Sequence, residues 1–282
     1  MNSQTTFSFE IFPPRRDENI SNLSQILEDL KALKPNFISV TFGAGGSVNS
    51  KHTLEIANLV QNTHKIPSIV HLPCIHLSRE RALEILKECK EKGLYSILAL
   101  RGDVCEGAQK SRDFSYASDL VTLIKKQGEF EIYAACYPEK HNESKNFVED
   151  IENLKIKVDC GVDKLITQMF FNNEDFYKFK EYCALKGISV PILAGIMPII
   201  NKKQILKISS LCGAKIPPKF MKILEKYEDN PRALEDAGIA YAIDQIVDLI
   251  ASGVSGIHLY TMNKSRAAKK IYEATSYLLK ET

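Results

Sequence analysis

Short runs of Ile, Val, Leu and Phe recur along this chain, separated by longer stretches in which apolar residues return every three or four positions. The short runs are "TFSFEIF" (6–12), "NFISVTFG" (36–43), "SIVHLPC" (68–74), "SILALRG" (96–102), "EIYAACYP" (131–138), "KLITQMFF" (164–171), "VPILAGIMP" (190–198) and "GIHLYTM" (256–262). Most are continuous rather than alternating, the pattern of parallel strands covered on both faces. The longer stretches carry helix signals. "SRERALEILKECKEKG" (78–93) opens on Ser78 with an acidic residue soon after and closes on Gly93. "EDIENLKIKVDCG" (149–161) sets Ile151, Leu154 and Val158 on one face and stops at Gly161; "NEDFYKFKEYCALKG" (173–187) and "NKKQILKISSLCG" (201–213) behave alike.

The interval 199–255 is too long for one helix and predicts a short helix after Pro218 and a long one from Pro231 to about Ser252. Eight strands, each followed by helix, predict an α/β fold: a (β/α)8 TIM barrel forming a single domain over 1–282, with an extra helix between strands seven and eight. An open doubly wound sheet is the alternative. Its Gly-rich fingerprint is missing from "FEIFPPRRDEN", and "TFGAGGS" (41–47) lacks the G-x-G-x-x-G spacing, so a Rossmann-type nicotinamide site is not expected.

Composition narrows the function classes. The 282 residues are 44% hydrophobic and 26% charged with a formal net charge of +2, which supplies no field for nucleic acid or a membrane surface. No run approaches the roughly 20 apolar residues of a membrane-spanning helix, and "MNSQTTFSFEIF" has no leader-like pattern. Seven cysteines without a C-x-x-C pair argue against a disulfide framework or structural zinc, so a reducing, cytoplasmic setting is expected.

In such a barrel the carboxyl ends of the strands face one mouth. Those ends supply Glu10, Thr41, His71, Arg101 with Asp103, Tyr137, Gln168 and Tyr260; the remaining one, "AGIMP", offers only backbone and small residues, room for a flat ligand. Glu10 is the sharpest signal. It lies between Phe9 and Ile11, where an ionised carboxylate is costly unless paired. Desolvation raises a carboxyl pKa, as a general acid near neutral pH requires. The structural alternative is an ion pair with Arg15 or Arg16.

Other signals are weaker. "HLPCIH" (71–76) contains ligand residue types, but His71 and Cys74 straddle a proline and the H-x-H of barrel metallohydrolases is missing, so no metal is expected. Lys164 opens its strand, the wrong end for a Schiff-base lysine. "RGD" is no adhesion signal in an intracellular chain. "KIKV" and "NKKQ" read as ordinary helix surface, with no case for nucleic acid. Cys136, before Tyr137, reads as a small core residue.

Nine motifs then carry a family resemblance: "SFEIFPPR", "SVTFGAGG", "HLPC", "ALRGD", "YASDLV", "YPEKH", "LKIKVDCGVDKLITQMFF", "GIMP" and "LYTMNK". In this order, from Phe7 to about Ala268, the chain resembles bacterial methylenetetrahydrofolate reductases. The resemblance implies a barrel that carries FAD and takes electrons from NADH or NADPH. Its reaction would be ping-pong reduction of 5,10-methylenetetrahydrofolate to 5-methyltetrahydrofolate, feeding methionine synthesis. It implies a homo-oligomer and, from the end of the chain after the eighth strand's helix, no C-terminal regulatory domain.

The same resemblance assigns roles. Glu10 matches the acid that assists protonation of folate N10, and Asp103 the residue that meets the pterin and tunes the flavin. Flavin contacts would come from Thr41, His71, Arg101, Gly102, Asp103, Tyr116 and Ala117. Ala135, Tyr137, His141, Asp150, Asn153 and Lys157 would complete that set, the last three along one helix face. Gln168 matches the reader of the pterin amide, with Gln204, Tyr260 and Lys264 as further folate-binding candidates. Lys264 replaces an arginine of many relatives, Ile208 an aromatic residue of some, and Ile156 a basic one; activity is expected to survive all three. Two other classes compete: a flavin-linked dehydrogenase of another small substrate, which would need no ring-opening acid, and a barrel that binds folate without turnover.

Overall fold

A computed structural model of the chain describes residues 5–14, 20–42, 50–104 and 110–281. The glycines of "TFGAGGS" and the alternative Glu10 partners Arg15 and Arg16 lie outside them. Eight strands close into a barrel in chain order: β1 (Thr6–Ile11), β2 (Phe37–Val40), β3 (Ser68–Pro73), β4 (Ser96–Leu100), β5 (Glu131–Cys136), β6 (Lys164–Thr167), β7 (Ile192–Ile196) and β8 (Gly256–Tyr260). The expected (β/α)8 barrel is therefore the architecture. Helices α1 (Ile20–Lys31), α2 (Ser50–Asn58), α3 (Arg79–Glu91), α4 (Ala117–Lys126), α5 (Phe147–Asp159) and α6 (Asn173–Leu185) follow the first six strands, α2 running on into a π-helical turn over Leu59–Thr63.

After β7 come α7 (Lys202–Cys212), α8 (Pro218–Lys226) and α9 (Pro231–Ala251), and after β8 come α10 (Ser265–Thr275) and α11 (Leu278–Glu281). Pro218 and Pro231 each open a helix because a first-turn residue needs no N–H. Ser78 caps α3 through the Arg81 N–H, and Asn201 caps α7 through the Gln204 N–H. Gly213 ends α7 at φ +80°, the left-handed geometry that spares a Cβ clash.

The apolar runs overshoot the strands. β6 stops at Thr167, yet "QMFF" stays apolar because Phe170 stacks on Phe176 at 5.4 Å and Phe171 meets Phe220 at 5.9 Å. Those rings belong to helix packing, not to the ladder.

Two compact units divide the chain. One comprises Met1–Phe7, Cys136–Lys155 and Ile166–Thr282. Beside its strands it holds a second apolar cluster of Met169, Phe171, Ile199, Ile205, Phe220, Leu224 and Leu234, and Ile208 packs against this cluster. Phe220 stacks on Tyr241 at 4.0 Å, and the Tyr241 hydroxyl donates to the Phe171 carbonyl at 2.6 Å. In the same unit Phe7 meets Tyr272 of α10 at 5.7 Å. That contact turns the odd positions of β1 to the helix layer and, by alternation, Ser8 and Glu10 to the barrel interior.

The other unit comprises Ser8–Ala135 and Ile156–Leu165. Its registers pair Glu10 with Ser39 and Ser39 with Ile69, so Thr41 and His71, two positions on, share the inner face with Glu10. At the opposite, amino-terminal end Lys164 pairs with Glu131 at 2.7 Å and meets the Tyr133 hydroxyl at 3.3 Å, so it serves structure there. Cys136 is buried, and the described cysteines are free thiols. Among the described residues no helix is long and apolar enough to cross a membrane.

One close approach tests this packing. A Cβ at Gly238, inside α9, would lie 1.7 Å from the Ile199 carbonyl oxygen. Gly→Ala within a helix ordinarily stabilises by about 1 kcal/mol. Here overpacking reverses the sign, and Gly238→Ala is expected to lose about 1–3 kcal/mol, read as a lower urea midpoint at unchanged slope.

Candidate active site

Glu10 and His71 form the centre of one polar group. The Glu10 Oε2 to His71 Nε2 distance is 3.6 Å, with side-chain exposures of 20% and 7%. Burial pushes the Glu10 carboxyl up to about 8 and the His71 imidazole down to about 3. At pH 7 the carboxyl is therefore mostly protonated and the imidazole neutral, so this is no ion pair. The separation is also too long for a hydrogen bond. Among the described residues His71 Nε2 is buried with no hydrogen-bond partner, a state that costs about 1–3 kcal/mol and suits an atom whose partner arrives with a ligand.

The end of β4 explains "RGD". The Cys74 and Ile75 N–H groups reach the Arg101 carbonyl at 3.1 and 2.8 Å, which draws the two chains together. Gly102 has φ +84°, and a Cβ there would lie 2.8 Å from the Pro73 Cβ. Glycine thus permits a close approach to β3, and the left-handed turn leaves Asp103 exposed and Arg101 half-buried. His76 Nε2 donates to the Asp103 carbonyl at 3.2 Å, and Cys74 Sγ donates to the Tyr116 carbonyl at 3.6 Å. The Cys74 and His76 side chains therefore brace the segments that follow β3 and β4. Sequence reasoning did not assign His76 this role; its spacing from His71 was the available signal.

The other flavin candidates of this unit are dispersed around strand and helix ends. Thr41 follows β2, its N–H donating to the Ile11 carbonyl at 3.0 Å and its own carbonyl accepting from Thr53 Oγ1 at 3.1 Å. Tyr116 and Ala117 begin α4; Tyr116 is exposed and its N–H donates to Asp119 at 2.9 Å. Lys157 Nζ donates to the Ala135 carbonyl at the end of β5.

In the first unit, Tyr137 and His141 make an edge contact with ring centroids 4.7 Å apart. Asp150 shapes their loop, its carboxylate accepting from Ser144 Oγ at 2.7 Å and the His141 N–H at 3.2 Å. Asn153 is exposed on α5, as is Ile156. Glu139 was overlooked in the sequence: its nearly buried carboxylate accepts from the Lys215 N–H at 3.0 and 3.2 Å, and burial raises its pKa. Charge inside "YPEKH" was the only hint.

Gln168 immediately follows β6, half-buried, with its side-chain oxygen accepting the Met169 N–H at 2.8 Å. Tyr260 ends β8 and donates to the Thr167 carbonyl at 2.6 Å. Within "AGIMP", a Cβ at Gly195 would lie 2.7 Å from Tyr260 Cε2, so the ring of Tyr260 lies close over that glycine. Gln204 is half-buried in the first turn of α7. Lys264 is exposed at the start of α10, beyond Met262 and Asn263, whose φ values of 51° and 54° make a left-handed turn.

The Methylenetetrahydrofolate reductase family model matches residues 1–276. A 5,10-methylenetetrahydrofolate reductase of Pectobacterium carotovorum subsp. carotovorum is 36% identical over 264 residues, covering 94% of this chain and 88% of that protein. Methylenetetrahydrofolate reductase (NADH) 1 of Arabidopsis thaliana is 37% identical over 280 residues, covering 94% of this chain and 47% of that protein. The chain thus spans about half the length of the plant relative. A structure of an uncharacterized Clostridium thermocellum protein that binds two copies of 5-methyl-5,6,7,8-tetrahydrofolic acid has a TM-score of 0.64. At 15% identity, over 99% of this chain and 95% of that one, the likeness is one of fold.

The Glu10 and His71 shifts set opposing pH slopes. The folded state keeps the Glu10 proton from 4.5 up to about 8, so that stabilisation is lost as pH rises through this window. Neutral His71 contributes stability that is lost as pH falls from 6.5 toward about 3. Between 4.5 and 6.5 the slopes cancel, leaving a decline from 6.5 to 8. Urea unfolding at stepped pH is expected to show Glu10→Gln gaining on wild type across 4.5 to 8 and levelling above it.

Proposed function

The chain belongs to the methylenetetrahydrofolate reductase family, and from that membership we propose that it reduces 5,10-methylenetetrahydrofolate to 5-methyltetrahydrofolate. FAD is the proposed resident cofactor and NADH or NADPH the electron source in a ping-pong cycle, with the product feeding methionine synthesis. The observation that carries the reading is Glu10, a carboxyl raised to about 8 at the end of a barrel strand.

The residues present fit a flavin. In one unit His71 Nε2 is an orphaned buried polar atom among the described residues, and Arg101 adds a cation. FAD, when bound, would supply the hydride that reduces the one-carbon unit. Residues taken from the resemblance to hold it are Thr41, Arg101, Gly102, Tyr116 and Ala117, with Ala135, Asp150, Asn153 and Lys157 toward its adenosine end. Arg101 would offset negative charge there.

Protonated at neutral pH, Glu10 gives its proton to folate N10, and the imidazolidine ring opens to a cationic N5 iminium. The carboxylate left behind then faces that cation in a low-dielectric setting, where opposite charges attract strongly. Neutral His71 holds no competing positive charge beside it. Asp103 accepts from the pterin amino and ring N–H groups, Gln168 reads the pterin amide, and Gln204, Tyr260 and Lys264 contribute to folate binding. A barrel of this fold in Clostridium thermocellum binds the reaction's product class. Cytoplasmic location and homo-oligomeric assembly complete the proposal, resting on the resemblance.

The purified protein is expected to be yellow with flavin absorbance, and Glu10→Gln to retain flavin reduction by nicotinamide while folate reduction falls by about 10²-fold or more. Anaerobic stopped-flow of the two half-reactions separates these. Equal loss of both would make Glu10 structural, and a folded, colourless protein that takes up no flavin would overturn the assignment.

A further inference from the structure

Residues on three consecutive strands form one assembly at the ends of β6, β7 and β8. Tyr260 Oη donates to the Thr167 carbonyl at 2.6 Å, reaching past β7, which lies between them in the barrel order. Gly195 makes the passage possible. A Cβ there would lie 2.2 Å from the Thr167 oxygen and 2.7 and 2.8 Å from Cε2 and Oη of Tyr260. Its backbone is outside the left-handed region, so glycine is required here for space alone. The Gly195 N–H also donates to Thr167 Oγ1 at 2.9 Å, holding Thr167 by side chain as well as carbonyl.

The consequence falls on Gln168. The Thr167 carbonyl and the Gln168 N–H are the two ends of one planar peptide. Tyr260 takes the first, and the Cys136 carbonyl accepts from the second at 2.7 Å. With both polar ends engaged, the plane cannot rotate without losing a hydrogen bond, which steadies the backbone from which the Gln168 side chain departs. Its Oε1 accepts the Met169 N–H at 2.8 Å. A backbone N–H only donates, so the atom facing it is the oxygen and the carboxamide presents its NH2 outward.

We propose that Tyr260 is a positioning residue whose strap across Gly195 holds Gln168 as a fixed hydrogen-bond donor, selecting a ligand ring carbonyl over a ring amino group. In chemical terms the site takes a 4-oxopteridine and disfavours a 2,4-diaminopteridine. An amino substituent would set donor against donor and leave both unpaired on desolvation, and sites built this way discriminate strongly. Inverting the carboxamide to accept from an amino group would turn its NH2 against the Met169 N–H. The inference rests on the folate-reducing reading above and deepens it.

Tyr260→Phe deletes Oη alone. Dissociation constants for 5-methyltetrahydrofolate and for a 2,4-diaminopteridine are measured by titration calorimetry on wild type and variant as purified, with circular dichroism confirming the fold. Wild type is expected to prefer the oxo ring by about tenfold or more, and the variant to lose about tenfold of that preference through weaker oxo binding, the scale of one hydrogen bond. Gly195→Ala, which displaces the ring, is expected to act in the same direction and further. An unchanged preference in folded Tyr260→Phe overturns the positioning role. Wild type that binds 5-methyltetrahydrofolate without preference overturns the selection while leaving the folate reading intact; wild type that binds neither compound overturns both.

Discussion

A parallel strand covered on both faces can hold a charge only where compensation outweighs desolvation, and at Glu10 in β1 desolvation wins. Phe9 and Ile11 are fully buried on either side of it, and the His71 Nε2 lies 3.6 Å from its carboxylate. Desolvation dominates there, and the lower-energy state of the carboxyl is the protonated one. The same desolvation keeps His71 neutral. The burial that the barrel imposes thus keeps the proposed acid protonated, and the cost appears as stability lost between pH 6.5 and about 8.

Where a parallel ladder ends, carbonyl oxygens run out of strand partners, and this chain fills several with side chains. Thr53 bonds the Thr41 carbonyl, His76 that of Asp103, Lys157 that of Ala135 and Tyr260 that of Thr167. Each acceptor is at or next to a candidate binding residue. Such bonds order a strand end at about 1 kcal/mol each, which matters more for orientation than for stability. Glycine serves the same purpose by absence: at 102 it admits Pro73, and at 195 it admits the Tyr260 ring. A site held in this way keeps its donors and acceptors in place before any ligand arrives.

Much of the fold was legible in the sequence. The eight apolar runs mark eight strands, and Ser78, Asn201, Pro218 and Pro231 mark helix starts. These signals are local, because caps and two-sided burial act within a few residues. Strand ends were harder to place. Phe170 and Phe171 read as strand but pack against Phe176 and Phe220, residues whose proximity no local pattern reports.

The site divides along the same line. Residue types and spacing alone singled out Glu10, the "RGD" turn and Gln168, since a carboxyl inside an apolar strand or a glycine between charges is anomalous wherever the chain goes. Only the tertiary structure decided that His71 is the neighbour of Glu10, that Asp150 and Lys157 have internal partners, and that Tyr260 crosses Gly195 to hold Thr167. Those contacts join positions distant along the chain, 93 apart for Tyr260 and Thr167. They depend on register and on the few ångströms that a missing Cβ leaves open, quantities that exist only once the strands are paired.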